Sequence, residues 1–591
     1  MFKIISRIVS LIFCFLTVFD ANSVPAYPGY IEVKGADGEK ICIKIQGDER
    51  GHIVYNEYDD IMVFDGNSYA LASPSEADSI KKIFLSRQNR IKTRSNERIG
   101  LISGPKFPTL GDHRSLVLLV EFPNKKFKVD NPGEYYKRML NDDNFEDLGA
   151  SGSPRKYLLE NSRGKFRPVF DIAGPIMVSQ NYQYYGQNIK KHNEEIGDYI
   201  GDAYPHEMLV EACRILKDQG FDFSPYDCNG DGEIDNVFIF YAGFGEADSG
   251  NPNTIWPHSG NLTEINPGED PIVLDGLILN RYACSNELKG NTGNPDGFGT
   301  FIHEFTHVMG FPDLYPLNGT KGVSPGNWDV MDIGCYLNDS KTPPNYSSFE
   351  LYSFGWLDPI EIESPGEYVL PYLHGKEGRA FMVPVADKEN KPGEFFLFEN
   401  RQQIGQDSFL PGHGMLVWHI DFNQEVWDAN SLSEDSSHPY VRIIEADNLS
   451  GHYEIEELPG ERPELVFKDE NEGDSFPGKA CNNQFTSTSL PPFVDWSEQP
   501  TGFDLTDITE TEEGLIYFNV FKNGYENLLS LKDPGLDDLV IKGREVWLKK
   551  GVTPLFDLMG RKVAFLTSRP ISLPNGIYVI PGYGKIMISV K

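Results

Sequence analysis

Apolar positions fall in short runs along this chain, and their spacing changes character several times. Ile8 to Phe19 form an early apolar run preceded by Lys3 and Arg7. From residue 24 to about 80, β-type runs alternate with turns, as in Tyr30-Ile31-Glu32-Val33 and Ile41-Cys42-Ile43-Lys44-Ile45. Ser115-Leu116-Val117-Leu118-Leu119-Val120-Glu121-Phe122 and the run Ile234 to Tyr241 are rich in branched residues, and each predicts a buried strand. Glu194 to Gly220, between them, carries amphipathic helical patterning. A long unit therefore runs from about residue 106 to Trp356-Leu357-Asp358-Pro359. Beyond it, runs such as Phe395-Phe396-Leu397-Phe398 and Met415-Leu416-Val417-Trp418, with Gly and Pro between, predict a β-sandwich. The last piece is also strand-rich, ending in Gly576-Ile577-Tyr578-Val579-Ile580 and Lys585 to Lys591. The pattern predicts an α+β chain divided at 1–23, 24–105, 106–360, 361–523 and 524–591.

Composition narrows this picture. At 591 residues the chain exceeds one core, and 39% hydrophobic with 12% aromatic residues suits folded domains. Its 53 basic and 88 acidic residues give a net charge of −35, which disfavours nucleic acid as a partner. The apolar run Ile8 to Phe19 is too short to span a bilayer. With the basic residues before it and Ala21-Asn22-Ser23 after it, it reads as a signal peptide, so the protein is expected to be secreted or on the cell surface. Removing Cys14 with that segment leaves six of the seven cysteines, which permits disulfides but does not dictate their pairing. Residues 81–98 hold Lys81, Lys82, Arg87, Arg90, Lys92, Arg94 and Arg98 against one acid, Glu97. That stretch reads either as a linker open to an activating trypsin-like protease or as a solvated helix face.

The chemistry is concentrated in His303-Glu304-Phe305-Thr306-His307. On a helix, the two histidines lie one turn apart on one face and can share a metal. Catalytic zinc takes nitrogen ligands and keeps one position open. Glu304 suits a general base acting on the attacking water. A chance match to this pattern is expected on the order of once or twice per hundred chains of this composition. Gly310 and Pro312 predict the end of the helix. Asp313, six residues past His307, is the expected third ligand, with Glu350 as the alternative. Met331, in Trp328-Asp329-Val330-Met331-Asp332, is a candidate apolar floor for the metal.

The segment Phe301 to Tyr315 resembles the active-site segment of the immune inhibitor A family of metallopeptidases. So do Tyr157-Leu158-Leu159-Glu160-Asn161-Ser162-Arg163-Gly164, Ile255-Trp256-Pro257-His258, the Met331 turn, Ser353-Phe354-Gly355-Trp356-Leu357, Glu399-Asn400-Arg401 and Leu410-Pro411-Gly412-His413-Gly414. The resemblance covers roughly residues 25–520. It implies a metzincin-like zinc endopeptidase, made as a zymogen and acting on proteins outside the cell, with Asp313 where most metzincins carry a third histidine. The C-terminal stretch, through Leu558-Met559-Gly560-Arg561-Lys562-Val563 and Asn575-Gly576-Ile577-Tyr578-Val579, resembles the small β-domains that end many exported proteins; a pure stability module is the alternative.

Asp227-Cys228-Asn229-Gly230-Asp231-Gly232-Glu233-Ile234-Asp235 resembles the first part of an EF-hand loop. Asp227, Asn229, Asp231, Glu233 and Asp235 are candidate calcium ligands. Phe238 stands where the closing Glu belongs, so another carboxylate, Asp222 or Glu246, would have to complete the shell. A bare Asx-turn loop is the alternative. His258, His413 and His419 read as satisfied core histidines, and Cys42 and Asp48 as candidates for a latch on the metal. The expectation is a zinc metalloendopeptidase. A catalytically silent, calcium-stabilised surface or adhesive protein on the same fold is the first alternative, and a zinc hydrolase of non-peptide bonds the second.

Overall fold

The computed structural model describes residues 22–80, 99–265, 270–316, 323–385, 393–456, 464–522 and 539–588, apart from isolated positions and short stretches within those ranges. Most of the expected signal peptide, all of the basic stretch 81–98 and the segment Leu558-Met559-Gly560-Arg561 lie outside the described residues.

A six-stranded sheet organises the central unit. Its order is Asn22–Ser23, His258–Asn261, Arg281–Leu288, Val237–Phe244, Gly111–Glu121, Phe166–Met177. The last four strands are mutually parallel, His258–Asn261 runs antiparallel to Arg281–Leu288, and Asn22–Ser23 antiparallel to that edge. Strands buried on both faces read as continuous apolar runs, which accounts for the runs in the sequence. Leu116, Leu118 and Val120 pack with Met208, Leu209, Ala212 and Leu216 of the helix Pro205–Asp218. Val117 and Leu119, on the opposite face, share a core with Phe301, Ile302 and Phe305 of the helix Gly299–Val308. In the next strand Val237, Ile239 and Tyr241 join the first core, and Phe238 and Phe240 the second.

The helical stretch expected over 194–220 begins only at Pro205. A hairpin, Asn188–Asn193 with Gly197–Asp202, precedes it. The physical reason lies in the proline, which suits the first helical turn and restrains the residue before it to extended backbone. The strand expected from Ile234 starts at Val237, and the one expected from Ser115 starts at Gly111.

Five strands between Ile31 and Leu71 form a separate antiparallel meander. Further along, a five-stranded sheet faces a three-stranded one. Phe396, Phe398, Met415 and Val417 of the larger sheet meet Leu505, Ile516, Phe518 and Val520 of the smaller in one core. Their neighbours Phe395, Leu397, Leu416, Trp418 and Ile420 point to the other face and belong to the same core as the Gly299–Val308 helix. A small strand-rich unit around Val546, Leu555, Leu566, Leu573 and Tyr578 ends the described chain. Among the described residues no helix is long and apolar enough to cross a membrane. Cys42, Cys213, Cys228, Cys284, Cys335 and Cys481 are all free thiols.

Candidate metal centre

The Gly299–Val308 helix is buried along its whole length. Residues two positions apart on a helix differ by about 200° in direction. Phe301 and Phe305 therefore face the sheet, meeting Phe170 edge-on and packing at a tilt against Phe238 and Phe107. His303 and His307 face the other way. The helix ends where Gly310 takes φ 93°, a conformation open to glycine at little cost. The chain then turns back through Phe311 and Pro312 and delivers Asp313.

Three atoms of metal-binding type converge. His303 Nε2 lies 3.1 Å from His307 Nε2, and Asp313 Oδ1 lies 3.2 Å and 3.1 Å from them. Among the described residues, this is the one group of three such side chains close enough to hold a metal. Ligands about 2.0–2.1 Å from a tetrahedral ion stand about 3.3 Å apart, so the triangle fits zinc. The outer nitrogens are fixed: His303 Nδ1 donates to Val330 O at 2.8 Å, and His307 Nδ1 to Phe311 O at 2.8 Å. This tautomer turns each Nε2 lone pair toward the shared point. Asn430, 117 residues on, grips Asp313 twice. Its Nδ2 donates to Asp313 Oδ2 at 2.7 Å, and its Oδ1 accepts from Asp313 N at 2.8 Å. Asp313 Oδ1 is thereby aimed at the imidazoles.

Burial works against a charge on Asp313, but the two imidazoles beside it hold its carboxyl well below the usual range. Burial likewise pushes His307 down, keeping the neutral form that binds metal. Glu304 is fully buried, and burial followed by the Asp313 charge raises its carboxyl well above the usual range. Its Oε1 accepts from Val24 N at 2.9 Å, while Oε2 has no hydrogen-bond partner among the described residues. Met331 is fully buried in the same core, and its carbonyl accepts from Leu314 N, tying its turn to the segment after Asp313.

Other sequence candidates sit elsewhere. Glu350 is the third residue of the helix Ser348–Ser353 and closes a capping box with Ser347, so its carboxylate serves its own helix start. In the loop 227–235 the side-chain oxygens serve the loop's backbone. Asp227 accepts from Gly230 N, Asp231 N and Gly232 N, Asn229 from Asp231 N, Asp231 from Glu233 N, and Asp235 from Cys228 N. Glu233 Oε2 faces Asn280. Of the two proposed closing ligands, Asp222 accepts from Ser224 N, and Glu246 is held by Asn188 and His52. His258 is buried between Trp256 O and Tyr282 Oη, and His419 against Glu394. His413 pairs with Glu510 at the surface. Cys42 is half-buried in the Ile31–Leu71 meander, where burial raises its thiol further toward the protonated form. The side chain of Asp48 lies outside the described residues. The sequence reading missed Asn430 and Val24; neither lies in a local motif, and only the fold brings them to the site.

The profile of immune inhibitor A peptidase M6 catalytic domains matches residues 107–357. No curated protein matches the chain. A crystal structure of metalloproteinase-II from Bacteroides fragilis aligns over 55% of this chain and 84% of that chain at 9% identity. Its TM-score of 0.19 is too low to inform the fold. Residues 107–357, which carry the His303-His307-Asp313 triangle, are thus similar to the catalytic domain of the immune inhibitor A family of metallopeptidases.

Proposed function

We propose that this chain is a secreted zinc-dependent endopeptidase that hydrolyses peptide bonds of extracellular proteins and is made as a zymogen. The observation that carries the reading is the triangle of His303 Nε2, His307 Nε2 and Asp313 Oδ1, with Glu304 on the same helix. A zinc ion held by those three side chains would supply Lewis-acid activation of water and of the scissile carbonyl. Glu304 takes the proton of the attacking water and returns it to the leaving nitrogen. Val24 N at 2.9 Å from Glu304 supports this role, since a peptide nitrogen fits within hydrogen-bond reach of the base. Val330 O and Phe311 O keep the imidazoles oriented, and Asn430 keeps Asp313 oriented.

Activation by a trypsin-like protease at the 81–98 stretch belongs to this proposal, as does a stabilising calcium ion at the 227–235 loop. Thermal melts with and without chelator test the calcium ion; an unchanged Tm removes it. The test of the whole reading is casein hydrolysis by the full chain after limited trypsin treatment, beside its Glu304→Gln variant and a chelated sample. The expected result is activity in the wild type, a loss of ~100-fold to 10,000-fold in the variant, and none after chelation. Undiminished hydrolysis in either control overturns the reading.

A further inference from the structure

The chain that follows the basic stretch 81–98 is pinned against the end of the helix that carries His303 and His307. The last carbonyls of an α-helix have no partner within it. Phe107 N donates to Val308 O at 3.0 Å, and Ile102 N to Gly310 O at 2.9 Å. Two carbonyls are thereby satisfied where the chain turns from His307 toward Asp313. The Lys106 stem packs over Gly310. Gly100, at φ 92°, lies so close to Phe349 and Ser353 of the helix Ser348–Ser353 that a Cβ there would not fit. Leu101 is buried, and Ile99 packs against the same core as the catalytic helix.

The sandwich unit holds this segment from the other side. Gln424 Nε2 donates to Leu101 O at 2.9 Å. Ser103 N and Oγ donate to the two oxygens of Asp428 at 2.6 Å and 2.8 Å. Gln424 Nε2 also donates to Asp428 Oδ1 at 2.9 Å, which fixes the carboxylate on its own helix, Gln424–Asp428. Two residues further on, Asn430 grips Asp313. One short helix thus secures both ends of the turn that delivers Asp313: Gly310 through the segment at Ile102, and Asp313 through Asn430. Ile102, Ser103, Gln424, Asp428 and Asn430 all lie outside residues 107–357, the part that matches the peptidase profile.

Taking the zinc peptidase reading as its basis, we propose that residues 99–104 are a strap that stays with the processed enzyme, and that Asp428 is a positioning residue for the metal centre, acting through that strap. Asp428 holds Ser103, the strap holds Gly310 O, and the Gly310 turn sets where Asp313 Oδ1 stands relative to the two imidazoles. Processing is limited by the same contacts. A cut that activates the chain falls before Ile99, because a later one would free the strap and loosen the turn.

The test uses the full chain. Zinc affinity is measured without denaturant, by competition with a chromogenic chelator, for wild type, Asp428→Ala, Asp428→Asn and Ile102→Pro. Loss of the acceptor at 428, or of the backbone donor at 102, is expected to weaken zinc binding ~10-fold. Asp428→Asn is expected to stay close to wild type, since its amide oxygen accepts from Ser103 N and its amide N–H reaches Ser103 Oγ. A contact that only stabilised the fold would lower the urea midpoint and leave the affinity of the folded protein as it was. Unchanged affinity in Asp428→Ala therefore overturns the proposal, as does an equal loss in Asp428→Ala and Asp428→Asn. Should Asp428→Ala fail to fold, Ser103→Ala takes its place, with a loss expected in the same direction and unchanged affinity again overturning the proposal. Limited trypsin digestion of the wild type, read by intact mass, supplies a second reading. The Lys106–Phe107 bond is expected to survive in the stable core, and a core that begins at Phe107 overturns the proposal. Zinc binding is read without hydrolysis, so a zinc-loaded but inactive wild type counts against the peptidase reading and leaves this result standing.

Discussion

At the residue scale, the centre depends on aim as much as on ligand identity. His303 and His307 point their Nε2 atoms at one place because Val330 O and Phe311 O hold the opposite nitrogens. Asp313 is aimed by Asn430 in the same way. Asn430→Ala removes both hydrogen bonds without touching a ligand. It is expected to weaken zinc affinity ~10-fold to 100-fold, read by competition with a chromogenic chelator. Unchanged affinity would show that Asp313 is held without Asn430. That His303 and His307 share a face was legible in the sequence, since four-residue spacing on a helix dictates it. Asn430 was not legible, because 117 residues separate it from its partner and no local pattern marks a contact made by folding.

At the element scale, alternation explains much of what the sequence disclosed. The run Leu116 to Val120 reads as continuously apolar because its two faces meet two different helices. The strand Glu394–Arg401 is buried throughout for a similar reason, one face in the sandwich and one against the catalytic core. What the run cannot reveal is which helix covers which face, or where a strand gives way to a hairpin, as happened before Pro205. The strand Gly414–Asp421 also carries a buried titratable group. His419 is stacked between Phe396 and Trp496 and hydrogen-bonded to Glu394, and burial lowers its pKa to about 4. The unfolded chain takes up a proton near pH 6.5, which the folded state refuses until about 4. The stability tied to His419 is therefore complete above pH 6.5 and lost as pH falls from 6.5 to 4, at up to ~1.4 kcal/mol per unit, or roughly 3 kcal/mol in all. Urea unfolding of wild type and His419→Gln at pH 7.5 and 4.5 measures it. The wild type should lose more stability than the variant over that range, and equal losses would contradict the account.

At the scale of the whole molecule, the catalytic unit and the β-sandwich are joined by a buried ionic network. Arg401 is fully buried, with Asp407 at 2.7 Å and Glu399 at 3.2 Å. It also donates to Asn345 O, and Asn345 N donates to Asp407. Removing the cation leaves two buried carboxylates uncompensated. Arg401→Leu is expected to cost ~3–5 kcal/mol, visible as a lowered urea midpoint. A cost below ~1 kcal/mol would mean that the two units stand without this link. Glu399-Asn400-Arg401 was visible in the sequence as part of a family resemblance, but its physical role depends on a partner, Asp407, that only the fold identifies as such.

The central claim is that His303, His307 and Asp313 hold one zinc ion. The most direct measurement is the zinc content of the purified full chain, of its Asp313→Ala variant and of its Glu350→Ala variant, after dialysis against dilute metal. The account predicts one zinc per chain in the wild type and in Glu350→Ala, and a large loss in Asp313→Ala. Zinc retained in Asp313→Ala and lost in Glu350→Ala would contradict it and move the third ligand to the Ser348–Ser353 helix.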